Sequence, residues 1–289
     1  MLMRPATDLI DRPLPLQQSP GFAQALTLLG RDAGIEPLQG CGQVLVVRRA
    51  VRGLGHMRFA SRGPVFSPDF SICDRATALR AARLHLVNAG PGDAEVMRQA
   101  GFVQIMSPAT AAILRLDADP DAQLDRAFGK WRNAARQGMA AGLRLRQRLL
   151  CPSRDGWLLD ADLAQQRAKR FRALPHALSL AYAQANAGDA LIMTASEGGT
   201  PVAAMLFLRH GTMATYQIGG SGPRGRVLRA HHALLIDAAR RLAAMGVAQL
   251  DLGTLDTQNA PGLARFKLGS GATAQLLEGT WARLPGWRG

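Results

Sequence analysis

Only three of the 35 basic residues are lysines, Lys130, Lys169 and Lys267, and two of these sit where an anion could be held. Lys267 lies in Ala264-Arg265-Phe266-Lys267-Leu268-Gly269-Ser270-Gly271, where glycines permit close approach of a ligand. A cation at that point could stabilise a tetrahedral oxyanion or hold a phosphate. Asp256 follows a strand that ends in Asp251-Leu252-Gly253; it could orient an amine or close a turn. Gly220-Ser221-Gly222-Pro223-Arg224-Gly225 matches G-x-G-x-x-G, follows a strand and precedes a helix expected from about Arg226 to Met245. A dinucleotide fold needs a parallel strand–helix–strand unit at that point, whereas the preceding strand reads as the third of an antiparallel meander. Pro223 also removes one amide donor. The loop and the positive end of its helix nevertheless suit an anion, with Gly222, Arg224, Gly225 and Arg226 as candidate contacts.

A second basic element runs from Phe128 to Met139. At helical spacing Phe128, Trp131, Ala135 and Met139 share one face, expected to pack, while Lys130, Asn133 and Gln137 lie opposite and Arg132 and Arg136 flank it. Lys130, Arg132 and Arg136 are therefore candidate phosphate contacts. Their surroundings strengthen the case. The chain carries a net charge of +14, and Asp125 to Arg172 holds 12 basic against 4 acidic residues. Such a field draws in phosphate, whether of RNA, a nucleotide or a phosphorylated substrate.

Other chemistries find little support. The six histidines show no ligand spacing, Cys41, Cys73 and Cys151 are odd in number and far apart, and no G-x-S-x-G elbow occurs. No metal is expected. His231 and His232 fall in the second turn of the long helix, where one could face a cleft as a base or simply pack. With 47% apolar residues the chain can build a real core, yet no apolar run is long enough for a membrane span. The first 20 residues do not read as a secretory signal, so a reducing, cytoplasmic setting is expected.

The elements that would position these residues fall into two similar halves. After an irregular lead over 1–18, Ser19-Pro20 opens a helix to about Leu29. Strands are expected over 43–51, 54–60, 85–88, 102–106 and 110–116, with helices over 74–84 and 93–100. A helical bridge over 146–185 leads to strands over 190–196, 201–210 and 213–219, joined by glycine turns and hence antiparallel. The long helix, a strand over 247–252, a short helix to Leu268 and a final strand over 273–283 complete the second half. The recurring order suggests two copies of one α/β unit, over 19–145 and 186–289, with the ligand cleft between them.

The basic and terminal motifs resemble one family. Lys130-Trp131-Arg132 … Gly142-Leu143 resembles the basic K-x-R … G-L helix of FemAB-like transferases of the peptidoglycan-bridge type, within the GNAT acyltransferase superfamily. Ala264-Arg265-Phe266-Lys267 … Gly271 resembles their terminal F-K-x-x-x-G element. The likeness spans residues 126–283. It implies an α/β (α+β) fold of tandem GNAT-like domains, each a mixed, mostly antiparallel sheet flanked by helices. It also implies an amide-forming acyltransferase that moves an acyl or aminoacyl group onto an amine-bearing small molecule or peptide. Aminoacyl-tRNA or acyl-CoA would be the co-substrate, with no tightly bound cofactor. Carried over by motif, Lys267 would sit near the donor's reactive end, Tyr216 on the strand lining the cleft, and Lys130 and Arg132 against phosphate. The scarcity of acid–base motifs fits, because an activated ester needs mainly positioning and oxyanion stabilisation. Two other readings stay open on the residues alone: a nucleotide-dependent oxidoreductase using the glycine loop, and a non-enzymatic RNA-binding module.

Overall fold

The computed structural model describes residues 13–53, 55–169 and 173–283, so most of the expected N-terminal lead lies outside the described residues. In chain order the first elements are α1 (Pro20–Leu28), β1 (Asp32–Pro37), β2 (Gly42–Val51), β3 (Gly55–Ser61), β4 (Val65–Phe66), α2 (Ile72–Ala81), β5 (Leu86–Asn88), α3 (Ala94–Gln99), β6 (Val103–Met106) and β7 (Ala109–Arg115). There follow α4 (Pro120–Asp125), α5 (Gly129–Ala140), β8 (Arg144–Leu149), α6 (Pro152–Lys169), α7 (His176–Ala185), β9 (Ala190–Glu197), β10 (Thr200–His210) and β11 (Met213–Ser221). The last are α8 (Pro223–Val227), α9 (Ala230–Ala244), β12 (Gln249–Thr254), α10 (Pro261–Gly269), β13 (Thr273–Leu277) and β14 (Thr280–Ala282).

The chain forms two compact units, one of residues 1–111 with 275–289 and one of residues 112–274. The first unit's sheet has the order β1-β2-β3-β5-β14-β6, with β4 paired to β2. Its core gathers Leu38, Val44, Val46, Leu79, Leu84, Val87, Met97, Phe102 and Trp281. Ser19 caps α1 by accepting from the Phe22 amide at 3.2 Å, as its sequence position suggested. The second sheet runs β13-β7-β12-β11-β10-β9-β8. Its core is built on Trp131, Met193, Met205, Phe207, Leu234, Leu235, Leu242 and Leu250. Both sheets are mixed. In each, a parallel pair follows the antiparallel strands, β3 with β5 and β11 with β12. Neither is the doubly wound parallel sheet that a dinucleotide oxidoreductase would need.

Several expectations need correcting. The unit boundary falls at 111/112 and not over 145–185, because β7, α4, α5 and β8 belong to the second unit. The expected final strand over 273–283 is two strands broken at Glu278-Gly279. β13 joins the second sheet, while β14 lies between β5 and β6 of the first. The expected helical bridge begins as a strand instead. In β8 the arginines 144, 146 and 148 alternate with Leu145, Gln147 and Leu149, and that period of two lets the segment pair along β9 from Arg144↔Ser196 to Leu149↔Leu191. β1 gives no alternation signal, since it holds a glycine and ends in proline. It is held by β2 and by the pairs of Arg48 with Asp32 and Glu36. The long helix expected from Arg226 is two helices, broken at Arg229, which takes the left-handed backbone conformation (φ 53°). Among the described residues no helix is long and apolar enough to cross a membrane.

Candidate active site

The site is set by the point where two neighbouring strands part. β11 and β12 pair in parallel only at Met213↔Gln249, Ala214↔Leu250 and Thr215↔Asp251, although β11 continues to Ser221 and β12 to Thr254. A bulge lies at the start of this divergence. Leu206 pairs with Ile218 and Phe207 with Tyr216, which leaves Gln217 as the extra residue in β11. An extra residue bends and twists its strand, so the bulge turns β11 away from β12. The result is a wedge whose walls are strand edges with backbone donors and acceptors.

Lys267 closes one wall of this wedge. It is only 6% exposed, and its ammonium donates to the Thr254 carbonyl at 2.8 Å. A β-carbon on Gly253 would stand 3.5 Å from the same nitrogen, so the strand end and the lysine are in contact. Burial pushes the Lys267 pKa down to about 8, against the opposing pull of Asp251. Asp251 is itself buried and accepts from the Gly253 amide at 2.7 Å, which shapes the turn at the strand end.

Beside Lys267 stands an aromatic cluster. Trp131 of α5 lies 5.0 Å from the His232 ring and 5.9 Å from Phe266, and His232 meets Phe266 edge-on at 5.2 Å. Gly269 admits Trp131, since a β-carbon there would come within 2.7 Å of the indole. Burial pushes the His232 pKa down to about 4, helped by the nearby Arg229 and His231. His231 contacts the Gly220 carbonyl at 2.9 Å, and burial holds its pKa below the usual histidine value. Tyr216 packs on Phe207 at 5.8 Å, and its hydroxyl occupies the space that a β-carbon of Gly219 would fill, 1.7 Å away. Burial, with a smaller contribution from Asp162, pushes that hydroxyl well above its ordinary pKa and keeps it neutral.

The glycine loop folds onto β10. The Gly222 amide donates to the Val202 carbonyl at 3.1 Å, and Gly225 sits so close that a β-carbon would lie 2.3 Å from that oxygen. Arg224 forms a two-pronged pair with Glu197, at 2.7 and 2.5 Å. Arg226 is exposed and reaches the Ser221 carbonyl at 3.3 Å. Of the loop's candidate anion contacts, Gly222 and Arg224 thus already have protein partners.

The basic helix divides its residues differently from the helical-wheel expectation. Trp131, Ala135 and Gly138 form the buried face of α5, whereas Phe128 is 66% and Met139 41% exposed. The reason is a close crossing with α9. A β-carbon on Gly138 would stand 2.6 Å from the Arg229 carbonyl, so the helices approach at the glycine and leave Met139 outside. Arg132 folds back to the Asp125 and Ala127 carbonyls at 2.9 and 3.1 Å, which closes the turn before α5. Lys130 and Arg136 are exposed. Asp256 accepts from the Gln258 and Asn259 amides at 3.1 and 2.7 Å and from the Asn259 side chain at 2.9 Å, so its carboxylate closes the turn that leads to α10. Those donors, Asn259 first, hold its pKa below the usual range.

The structure therefore gathers Lys267, Phe266, Trp131, His232 and His231 in contact, and leaves Lys130, Arg136 and Asp256 on the surface. The Gly219 cradle for Tyr216 and the seat of the loop on Val202 were not foreseen. The visible signal was a Gly219-Gly220 pair inside a strand, where glycine marks a close approach.

The comparisons agree with this geometry. Residues 110–268 match the model of the acetyltransferase (GNAT) domain family. Searched by sequence, the chain matches none of the curated proteins. By structure it is similar to FemX, with a TM-score of 0.75 at 15% identity over 97% of this chain and 95% of the other. It is also similar to L-PGS from Bacillus licheniformis (TM-score 0.56, 16% identity, 90% and 86% covered). A third similar structure is the C-terminal domain of a putative lysylphosphatidylglycerol synthetase from Agrobacterium fabrum (0.54, 14%, 97% and 91%). Parting parallel strands, a bulge before the parting and a helix after the glycine loop all lie inside the matched span, and the chain belongs to the acetyltransferase (GNAT) domain family of acyltransferases.

Proposed function

We propose that this acyltransferase joins an aminoacyl group, delivered as the ester of tRNA, to an amine-bearing acceptor. The observation that carries the reading is the wedge between β11 and β12, with the Lys267 ammonium fixed at the end of β12. An acyl carbonyl placed there meets backbone donors on a strand edge and a desolvated cation nearby. Both act on the oxyanion that forms when the amine nitrogen attacks the carbonyl carbon. The tetrahedral species collapses by breaking the C–O bond, and the ribose oxygen leaves with the proton that the amine gave up. A buried cation acts strongly in such a place because little water screens it.

The glycine loop supports an ester of tRNA over a thioester of CoA. A pyrophosphate needs free amides and uncommitted cations. Here Gly222 donates to Val202, Pro223 has no N–H, and Arg224 is paired with Glu197. The net charge of +14 suits a polyanionic donor. Two of the similar structures carry names that refer to lysylphosphatidylglycerol synthesis, an aminoacyl product. Such a donor places the reaction in the cytoplasm. Thermal unfolding with either donor tests the reading, since a ligand of the folded state raises its apparent stability. Aminoacyl-tRNA should raise the melting temperature and lose its amino acid to an added amine, and acetyl-CoA should do neither. Protection and consumption of acetyl-CoA would move the donor to CoA; no transfer from either would overturn acyl transfer at this site.

A further inference from the structure

In the first unit, beyond the end of β5, the turn Ala89-Gly90-Pro91-Gly92 leads to Asp93 at the start of α3. Asp93 is only 8% exposed. It makes no capping hydrogen bond, and among the described residues no side chain or amide donates to its carboxylate. A buried carboxyl group without a donor is costly, and such groups are normally paired. Its Oδ2 is turned to Gly90, 3.1 Å from where a β-carbon would stand. A second carboxylate is close: Glu278 accepts from the Gly92 amide at 3.0 Å, the residue next to Asp93. Glu278 is anchored through its own carbonyl, which accepts from the Trp281 indole at 2.8 Å. The cation nearest in charge, Arg75 of α2, is committed elsewhere, lying over the Phe66 ring at 5.8 Å and donating to the Pro68 carbonyl at 3.1 Å. Glu95, on the same helix as Asp93, is held by Arg98 and Gln99. Pro91 and Gly92, which cover the pair, are exposed and carry no bulky side chain.

We propose that Asp93 and Glu278 bind the ammonium group of a small primary amine in the first unit, under the Gly90–Gly92 turn. An ammonium brings one charge and three donors, which is what two carboxylates without a shared cation lack. A metal ion fits less well, since among the described residues no group of three or more potential ligands occurs. The electrostatics agree. Burial first, and then Glu278, raise the Asp93 pKa to about 7 against the pull of Arg75, so an empty site holds a proton near neutral pH and an arriving ammonium displaces it. The site does not depend on the acyl-transfer reading.

The test is a titration of the full chain with n-propylammonium chloride, read from the amide resonances of Gly90 and Gly92. Tetramethylammonium, which has charge but no N–H donor, is the control. The expected result is a saturable shift with propylammonium alone, stronger at pH 8 than at pH 6. Asp93→Asn should weaken binding about tenfold or more, as expected when a charge-assisted contact is lost, and should melt no lower than the parent at pH 8. Glu278→Gln keeps the acceptor for Gly92 and should weaken binding severalfold. Equal shifts with tetramethylammonium, no saturation, or unchanged affinity in both variants would overturn the site. If Asp93→Asn does not fold, the contrast between the two ammonium ions and the Glu278→Gln result still decide. No donor is present in this experiment, so its failure leaves acyl transfer standing, and a failure of acyl transfer leaves this site standing.

Discussion

The Lys267 ammonium is bound to the Thr254 carbonyl at 2.8 Å, beyond the last residues at which β11 and β12 still pair. That contact keeps a buried cation at the mouth of the wedge, at a cost to folding. The pKa falls from 10.5 in the unfolded chain to about 8 in the fold. Between those values the unfolded chain binds more protons, so this group makes stability rise as pH increases from about 8 to about 10. Below about pH 8 the penalty is fully present, on the order of 3 kcal/mol. Lys267→Met should therefore melt no lower than the parent at pH 7 and should lose that alkaline rise. Unfolding curves at pH 7 and pH 10 check this; a large loss of stability at pH 7 would show that the lysine supports the fold.

Tyr216 and Gly219 should behave as a unit. The phenol oxygen fills the place of a Gly219 β-carbon, so Gly219→Ala must displace the ring. We expect Gly219→Ala to lower acyl transfer severely and to destabilise by about 1–3 kcal/mol through overpacking. Tyr216→Phe removes the oxygen and should relieve part of the clash in the double variant. The coupling is read from the four unfolding midpoints of the cycle, and additive effects would show that the two residues do not meet.

The crossing of α5 and α9 makes a sharper structural prediction. Gly138→Ala puts a methyl group 2.6 Å from the Arg229 carbonyl, so backbone must move. Gly129, at the start of the same helix, has open space around its β-carbon position. Gly138→Ala should cost about 2 kcal/mol or more, and Gly129→Ala should be neutral or stabilising by up to about 1 kcal/mol. Denaturant midpoints of both variants check the contrast, and equal behaviour would refute the close crossing.

How much of this was legible depends on what kind of signal each element carries. The antiparallel strands β9 to β11 declare themselves through apolar runs cut by glycine turns, and α10 through Pro261 at its start and glycines at its end. The motif around Lys267 pointed to the right place, but spacing alone suggested an open lysine, and its burial against Thr254 is a product of tertiary packing. Phe128 and Met139 were misplaced because a helical wheel counts large apolar residues, whereas α5 is buried by its small Gly138. β8 was hidden by its arginines and β1 by its glycine and proline, since each is a strand chiefly because of its neighbour. The placing of β7 and β14 in their sheets rests on contacts very distant in sequence, which no local pattern encodes.

The basic helix separates structural from binding charge. Arg132 holds two backbone carbonyls of the preceding turn, while Lys130 and Arg136 are exposed. Arg132→Ala should lower stability by about 1–2 kcal/mol. Lys130→Ala with Arg136→Ala should leave the melting temperature unchanged and reduce the salt dependence of tRNA binding by a slope of roughly 1.5–2. Filter binding across a salt series reads that slope, and an unchanged slope would assign both residues to a solvated face.

Turnover of Lys267→Met with aminoacyl-tRNA and an amine acceptor, measured beside its melting curve, tests the central claim most directly. If the buried ammonium stabilises charge that develops during acyl transfer, kcat should fall by roughly 10²–10³ while the protein stays folded. Lys267→Arg should recover only part of that loss, because the planar guanidinium carries its charge elsewhere. Full activity in a folded Lys267→Met protein would contradict the account.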